Sequence, residues 1–364
     1  MGTRVAVLGA GSWGTTMAKL AGRRAGTTLW ARRPELAAAI NAVHRNPEYL
    51  PEGLLPPEVV ATADMEEALA GASLVVMAVP SHGFRAIVEQ ARPHLLPGTP
   101  VLSLTKGLEE GSLKRMTEVL AELLPASPAG VLTGPNLAGE IMEGQPAASV
   151  VAMRDEALAA ELQRLLGSER FRVYTNEDVV GCEIAGALKN VAAIASGMGD
   201  GMGFGDNSRA ALITRGLAEL TRLGTALGGQ PLTFSGLAGL GDLVVTCISR
   251  RSRNRRVGEE LGRGRTIDEV VAATNQVAEG VKTSRVVLDL AATVGVEMPI
   301  AEQVVAVIFG GKTPADALAA LMHREAKPEH GPARWLFARD EAGRGEGPRP
   351  QAEFAVERRE GTVA

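Results

Sequence analysis

An α/β domain followed by an all-α domain is the architecture that this 364-residue sequence predicts. In the first half, short β-rich apolar runs alternate with helical stretches, the pattern of a mostly parallel sheet covered by helices on both faces. From about Glu183 onward the texture changes to long helical patterns broken by glycine, with no convincing strand. A glycine-rich turn joins the first run to the first helical stretch. At roughly 150 residues per domain, the length allows about two domains.

The first run, Arg4–Leu8, leads into Gly9-Ala10-Gly11-Ser12-Trp13-Gly14 and then a helix-compatible stretch from Thr15 to Ala21. This is G-x-G-x-x-G in the strand, turn and helix context that its chemistry needs. Gly9 permits the tight turn, Gly11 lets the backbone approach a pyrophosphate, Gly14 allows close helix packing, and the helix N-terminus faces the negative charge. A Rossmann-like, dinucleotide-binding domain is the expectation, although a plain tight turn carries the same glycines. The second run, Thr27–Trp30, is followed by Ala31-Arg32-Arg33 and not by the carboxylate that holds a free ribose hydroxyl. Two guanidiniums favour a 2′-phosphate, so NADP(H) is the preferred cofactor and NAD(H) remains admissible. A pair of solvated surface arginines is the alternative.

Runs at Ser73–Val79, Pro100–Leu104, Gly130–Leu132, Ala148–Val151 and Arg170–Tyr174 complete the expected sheet. Lys106 follows the run ending at Leu104, at a carboxyl end where open α/β sheets bind ligands. An ordinary loop lysine would read the same way. The Rossmann-like domain is placed at residues 1–182 and a helical domain at 183–328, with helices over Ala185–Met198, Ser208–Leu227, Thr266–Thr274, Lys282–Val294 and Ile300–Phe309. Lys189 stands in the first of these among Ala, Gly and Val, a desolvated setting that suits an ammonium to proton transfer. A lysine snorkelling from a helix rim is the alternative. Asp242 closes a Gly239-Leu240-Gly241 turn, and soon after it Arg250, Arg251, Arg253, Arg255 and Arg256 crowd together. Such arginines either compensate a bound anion such as phosphate or form a solvated helix face.

Composition limits the partners. Hydrophobic residues are 45% and charged residues 22%, enough for real cores, and a net charge of -4 with scattered arginines argues against a nucleic-acid surface. The longest apolar runs, such as Leu74–Pro80, fall far short of the roughly 20 residues of a membrane span. Cys182 and Cys247 lie in no metal-ligand spacing and read as reduced thiols of a cytoplasmic protein, with no metal expected. Only seven of the 38 basic residues are lysines, which makes each one informative. Residues 329–364 are rich in Arg, Glu, Gly and Pro and predict a flexible tail, with Trp335, Leu336 and Phe337 as one apolar cluster able to dock.

Several blocks together resemble the bacterial NAD(P)-dependent glycerol-3-phosphate dehydrogenases: GAGSWG at 9–14, SLTKG at 103–107, GPN at 134–136, GALKNVAAIASGM at 186–198, RAALITRGLAELTRLG at 209–224, GLGDLVVTC at 239–247, SRNRRVG at 252–258 and VAEGVKT at 277–283. The resemblance runs in order through nearly everything up to about residue 328. It implies interconversion of dihydroxyacetone phosphate and sn-glycerol 3-phosphate for phospholipid synthesis, a phosphorylated triose as small-molecule partner, and an assembly that admits a homodimer. By this resemblance Lys189 is the catalytic lysine, Lys106 touches cofactor and substrate, and Asp242 falls on a substrate position, where it would hold Lys189 and a substrate hydroxyl. Gly134, Asn136, Ser252, Arg253 and Asn254 fall on substrate positions. Ser12, Trp13, Arg32, Arg33, Ala138, Arg253, Val277 and Glu279 fall on cofactor positions. Asn136 stands where the family often has Ser or Thr, and the tail has no counterpart. Ketopantoate- and 6-phosphogluconate-type reductases would share fold and cofactor but need other substrate signatures, which are not found. A non-catalytic NADP-binding redox sensor would have no reason to keep both lysines.

Overall fold

The computed structural model describes residues 3–273, 278–326 and 328–329. Eight strands form one sheet: β1 Arg4–Leu8, β2 Gly26–Trp30, β3 Val59–Thr62, β4 Leu74–Met77, β5 Val101–Ser103, β6 Ala129–Thr133, β7 Ala147–Met153 and β8 Phe171–Asn176, in the order β8-β7-β6-β5-β4-β1-β2-β3. The first six run parallel, whereas β7 pairs antiparallel with β6 and carries β8 parallel to itself. The expected sheet is therefore present with its last two strands reversed. β3 was not anticipated from sequence. It is four residues long at the sheet edge, with Val59 and Ala61 buried and Val60 exposed, too short a run to stand out. A small hairpin, Arg45–Asn46 with Leu50–Leu54, was likewise unforeseen.

β1 shows why the central strands are apolar throughout. Val5 and Val7 point into a cluster with Met17, Ala18 and Ala21, while Ala6 and Leu8 point into another with Trp30, Met65 and Phe84. Alternate residues face opposite sides of a strand, so a sheet covered on both faces needs apolar groups at every position.

Beyond β8 the described residues hold helices and no strand. Residue 182 falls inside the first of them, the 23-residue helix Val179–Gly201, of which Gly181 to Gly199 are buried. Its composition explains this burial: Ala, Gly, Ile, Leu and Val occupy every face, which only a core helix tolerates. It is the one described helix long and apolar enough to cross a membrane, and here most of that apolar stretch lies inside the fold. Against this central helix runs Arg253–Gly262. A Cβ on Gly258 would stand 2.0 Å from the Ile194 carbonyl oxygen, and one on Gly197 would stand 2.0 Å from that of Arg255. The two backbones therefore touch, and any side chain at these crossing points would separate them. Four further helices, Asp206–Ala226, Ile267–Ala272, Glu279–Thr293 and Pro299–Gly310, match the expected ones within a few residues, whereas Asp242–Ile248 and Pro314–Met322 were not expected. Val277 and the tail from residue 330, with Trp335, Leu336 and Phe337, lie outside the described residues.

Candidate active site

The strand order reverses between β1 and β4, and in open α/β sheets the crevice outside the carboxyl ends at such a point binds ligands. Gly9–Gly14 follows β1 at that crevice. Gly9 has φ +118, a conformation only glycine adopts easily, and a Cβ there would stand 2.5 Å from the Ala78 carbonyl oxygen. A Cβ on Gly14 would stand 1.9 Å from the Gly9 carbonyl oxygen, so the helix Ser12–Gly22 can close on the turn only with glycine here. A Cβ on Gly11 would meet nothing within 4 Å, leaving its backbone open to a ligand. No side chain caps this helix at Gly11, so its first amide N–H groups remain for an anion. Trp13 Nε1 is buried with no partner. These features fit the pyrophosphate of a dinucleotide.

Asn46, fully buried in the unforeseen hairpin, props the turn by donating to the Ala10 carbonyl at 2.9 Å and to Thr15 Oγ1 at 2.8 Å. Nothing in its local sequence marks it. Ala138 opens the short helix Ala138–Met142, and its carbonyl accepts from Thr16 Oγ1 at 3.2 Å, which sets it beside the glycine-turn helix. Arg32 and Arg33 lie exposed after β2. Arg33 is engaged with Glu48, whereas Arg32 makes no ion pair with another described residue.

The second cluster is built from three segments distant in sequence. Asp242, 1% exposed, opens the helix Asp242–Ile248 and offers one carboxylate oxygen to each of two ammoniums. Lys189 Nζ, from the central helix, donates to Oδ1 at 2.6 Å, and Lys106 Nζ, from the loop after β5, donates to Oδ2 at 2.6 Å. Lys189 donates also to Thr246 Oγ1 at 2.7 Å, and Lys106 to the Gly134 carbonyl at 3.0 Å. Thr246 was not singled out from sequence, although its i+4 spacing from Asp242 puts both on one helix face. Two cations sharing one anion leave an excess positive charge in a buried place. Burial pulls Lys106 down to about 8, with the neighbouring Lys189 ammonium adding to the drop and Asp242 opposing it.

Around this pair stand polar groups with spare capacity. Asn136 Nδ2 donates to Ser149 Oγ at 3.0 Å, while its buried Oδ1 has no partner. Thr133 Oγ1, also partnerless, flanks Gly186 as the Lys106 stem does, an alignment that sequence reasoning did not find. Gly134, at φ +134, turns the chain between them. Glu279 opens the helix Glu279–Thr293. Burial raises its carboxyl pKa, and the positive charges of Arg253, Lys189 and Lys106 oppose that rise, which places it among the same cations.

The arginine run divides into separate roles. Arg255 turns inward to Asp200 at 2.6 Å, and Arg251 faces Glu143 at 3.7 Å and Glu140 at 3.9 Å. Protein carboxylates thus meet part of the charge that pointed to a bound anion. Arg253 is exposed at the first turn of its helix. Ser252 caps that helix by accepting from the Arg255 amide at 3.3 Å. Asn254 is a brace, donating to Asn190 Oδ1 at 2.9 Å and accepting from the Gly280 amide at 3.0 Å. Both bonds leave one of its amide hydrogens available.

Comparison with known proteins agrees with this geometry. The family model described as the NAD-dependent glycerol-3-phosphate dehydrogenase N-terminus matches residues 4–159, and that of the C-terminus matches residues 178–319. Glycerol-3-phosphate dehydrogenase [NAD(P)+] 2 of Sphingopyxis alaskensis is 55% identical over 332 residues, 91% of this chain and 100% of that one. The crystal structure of glycerol-3-phosphate dehydrogenase from Coxiella burnetii superposes with a TM-score of 0.85 at 38% identity, covering 89% of this chain and 99% of that one. A PanE/ApbA family ketopantoate reductase from Ralstonia eutropha reaches a TM-score of 0.58 at 18% identity, covering 87% of this chain and 100% of that one, a likeness of fold alone. With both halves matched in order, and with the glycine turn and the Lys106–Asp242–Lys189 cluster in place, this chain belongs to the NAD-dependent glycerol-3-phosphate dehydrogenase family.

Proposed function

We infer that the protein interconverts dihydroxyacetone phosphate and sn-glycerol 3-phosphate with NAD(P)(H), a step that supplies phospholipid synthesis. The observation that carries this is the buried Asp242 carboxylate holding two lysines, one from each region, beside a dinucleotide-type glycine turn. When bound, the nicotinamide supplies or removes the hydride. Reduction of a ketone builds negative charge on its oxygen, which a nearby ammonium stabilises and then protonates. Lys189 takes that role, held by Asp242 and Thr246 so that one N–H remains for the substrate. Lys106 adds positive potential and orients the substrate with Gly134 and Asn136. Arg253, with Ser252 and Asn254 at the same helix end, grips the phosphate, and that binding energy orients the reacting end.

Residues 1–182 are assigned to cofactor binding through Gly9, Gly11, Ser12, Trp13, Gly14, Arg32, Arg33 and Ala138, and residues 183–328 to substrate chemistry, with Val277 and Glu279 as further cofactor positions implied by the resemblance. NADP(H) is the preferred cofactor, because β2 is followed by Ala31-Arg32-Arg33 without a carboxylate there and Arg32 is exposed. Both cysteines are unpaired and buried, which supports a cytoplasmic setting. A homodimer is the assembly the reading admits, and light scattering reads it directly. The test of function follows NADPH oxidation with dihydroxyacetone phosphate, ketopantoate and a blank. Turnover with the triose phosphate alone is expected, and turnover only with ketopantoate would overturn the reading.

A further inference from the structure

We propose that Glu183, gripped by Arg115 and Thr117, is a positioning residue that sets where Lys106 meets Asp242 and Lys189. The proposal rests on the dehydrogenase reading for its kinetic test and on geometry alone for its structural one. Glu183 lies in the central helix six residues before Lys189, about 9 Å along the axis at 1.5 Å per residue. Its side chain is 3% exposed and takes part in none of the contacts made by the lysines. It accepts from Arg115 Nη1 at 2.7 Å, from the Thr117 amide at 2.9 Å and from the Thr117 hydroxyl.

Those donors belong to the segment that begins at Lys106. Two residues after the lysine, Leu108 is 3% exposed in the apolar cluster of Ile184, Ala185 and Leu188 and bridges back to Arg115. The intervening turn closes by the Glu109 amide to the Lys114 carbonyl at 2.9 Å. The loop is thus pinned to the central helix twice, by Leu108 and by Glu183, while Lys189 rides on that same helix. Lys106 reaches Asp242 Oδ2 from a backbone whose place is set by these two anchors.

A carboxylate is needed because all three partners donate. A glutamine at 183 keeps one acceptor oxygen and turns an amide N–H₂ toward a donor, leaving at least one buried group unpaired. The charged groups facing Lys106 are Asp242, Lys189 and Glu279, and the one facing Glu183 is Arg115. Releasing the clamp lets water reach Lys106 and move its titration upward from about 8.

The experiment compares the wild-type enzyme with Glu183→Gln, Thr117→Val and Thr117→Ser, using ¹³Cε-lysine NMR titration, steady-state kinetics and NADPH binding by fluorescence. With only seven lysines, the Lys106 signal can be assigned by substitution. In Glu183→Gln the Lys106 midpoint and the alkaline limb of kcat/KM should both rise. At pH 7 kcat/KM should fall by at least about tenfold, while the NADPH Kd stays within about twofold. Thr117→Val should move the same quantities by less, and Thr117→Ser should restore them. A Glu183→Gln enzyme that only loses Tm, with midpoint and limb unmoved, would overturn the clamp, and Thr117→Val decides the matter if that variant does not fold. A wild-type enzyme without turnover on dihydroxyacetone phosphate would sink the dehydrogenase reading, yet the NMR midpoints would still judge the clamp.

Discussion

Lys189, Lys106 and Asp242 divide the chemistry between geometry and charge. On the proposed reading, removing the Lys189 ammonium takes away the proton donor without touching the glycine turn. Lys189→Ala should lower kcat by about 10²- to 10⁴-fold, the usual loss for a positioned acid/base, with NADPH binding nearly unchanged in a fluorescence titration. The pH dependence belongs to Lys106. Its ammonium is lost as pH rises through about 8, so kcat/KM for the anionic substrate should fall above that pH. The stability contribution has the opposite slope: with a folded value below the ordinary 10.5, the unfolded chain binds more protons between about 8 and 10.5, and this group favours folding more as pH rises. A fall in rate while Lys106 contributes to a rising melting temperature between these values is therefore the signature to look for. On the proposed reading, cofactor choice rests on the exposed pair after β2. Neutral residues at Arg32 and Arg33 should raise KM for NADPH about tenfold or more and leave that for NADH nearly unmoved. Because Arg33 is engaged with Glu48, Arg32→Gln alone should account for most of this change. Equal effects on both cofactors would make them ordinary surface residues. The two lysines could be picked out in the sequence because lysine is rare here, Lys106 follows a strand at its carboxyl end and Lys189 stands among Ala, Gly and Val. Asp242 joining them through both oxygens could not, since residues 106, 189 and 242 meet only after folding.

The helix that bears Lys189 and the helix that opens on Arg253 cross at a distance set by absent side chains. At the crossing of Val179–Gly201 with Arg253–Gly262, Gly197 and Gly258 each face a carbonyl of the other helix. Gly258→Ala would force the backbones apart near Ile194, since real Cβ atoms do not approach a carbonyl oxygen within 2.0 Å. Overpacking of this kind costs about 1–3 kcal/mol, and Arg253 and Asn254 at the start of the displaced helix should shift with it. The expected result is a lower Tm in calorimetry and a raised KM for the triose phosphate. An enzyme with wild-type Tm and KM would show that the helices have slack. Glycines of this region were visible in the sequence, but which of them meet another backbone was not. The same holds for β3, where a four-residue edge strand carries too little period-2 signal to be told from a loop.

Across the whole chain, the family models span residues 4–319, and the composition after residue 328 cannot build a core. A chain ending at Pro328 should keep its kcat and melt within a few degrees of the full-length protein in a fluorescence melt. Insolubility or loss of activity would mean that Trp335, Leu336 or Phe337 is needed by the body. The sequence by itself determined the two-part architecture, the dinucleotide turn and the family, because these depend on local period, on glycine's freedom at Gly9 and on blocks of residues read in order. Only the tertiary structure decided the reversal of β7 and β8, the sharing of Asp242 by two lysines, the inward pairing of Arg255 with Asp200 and the grip of Arg115 and Thr117 on Glu183. Each of these is a contact between residues far apart in the chain, and such contacts follow from how apolar faces pack rather than from any local pattern.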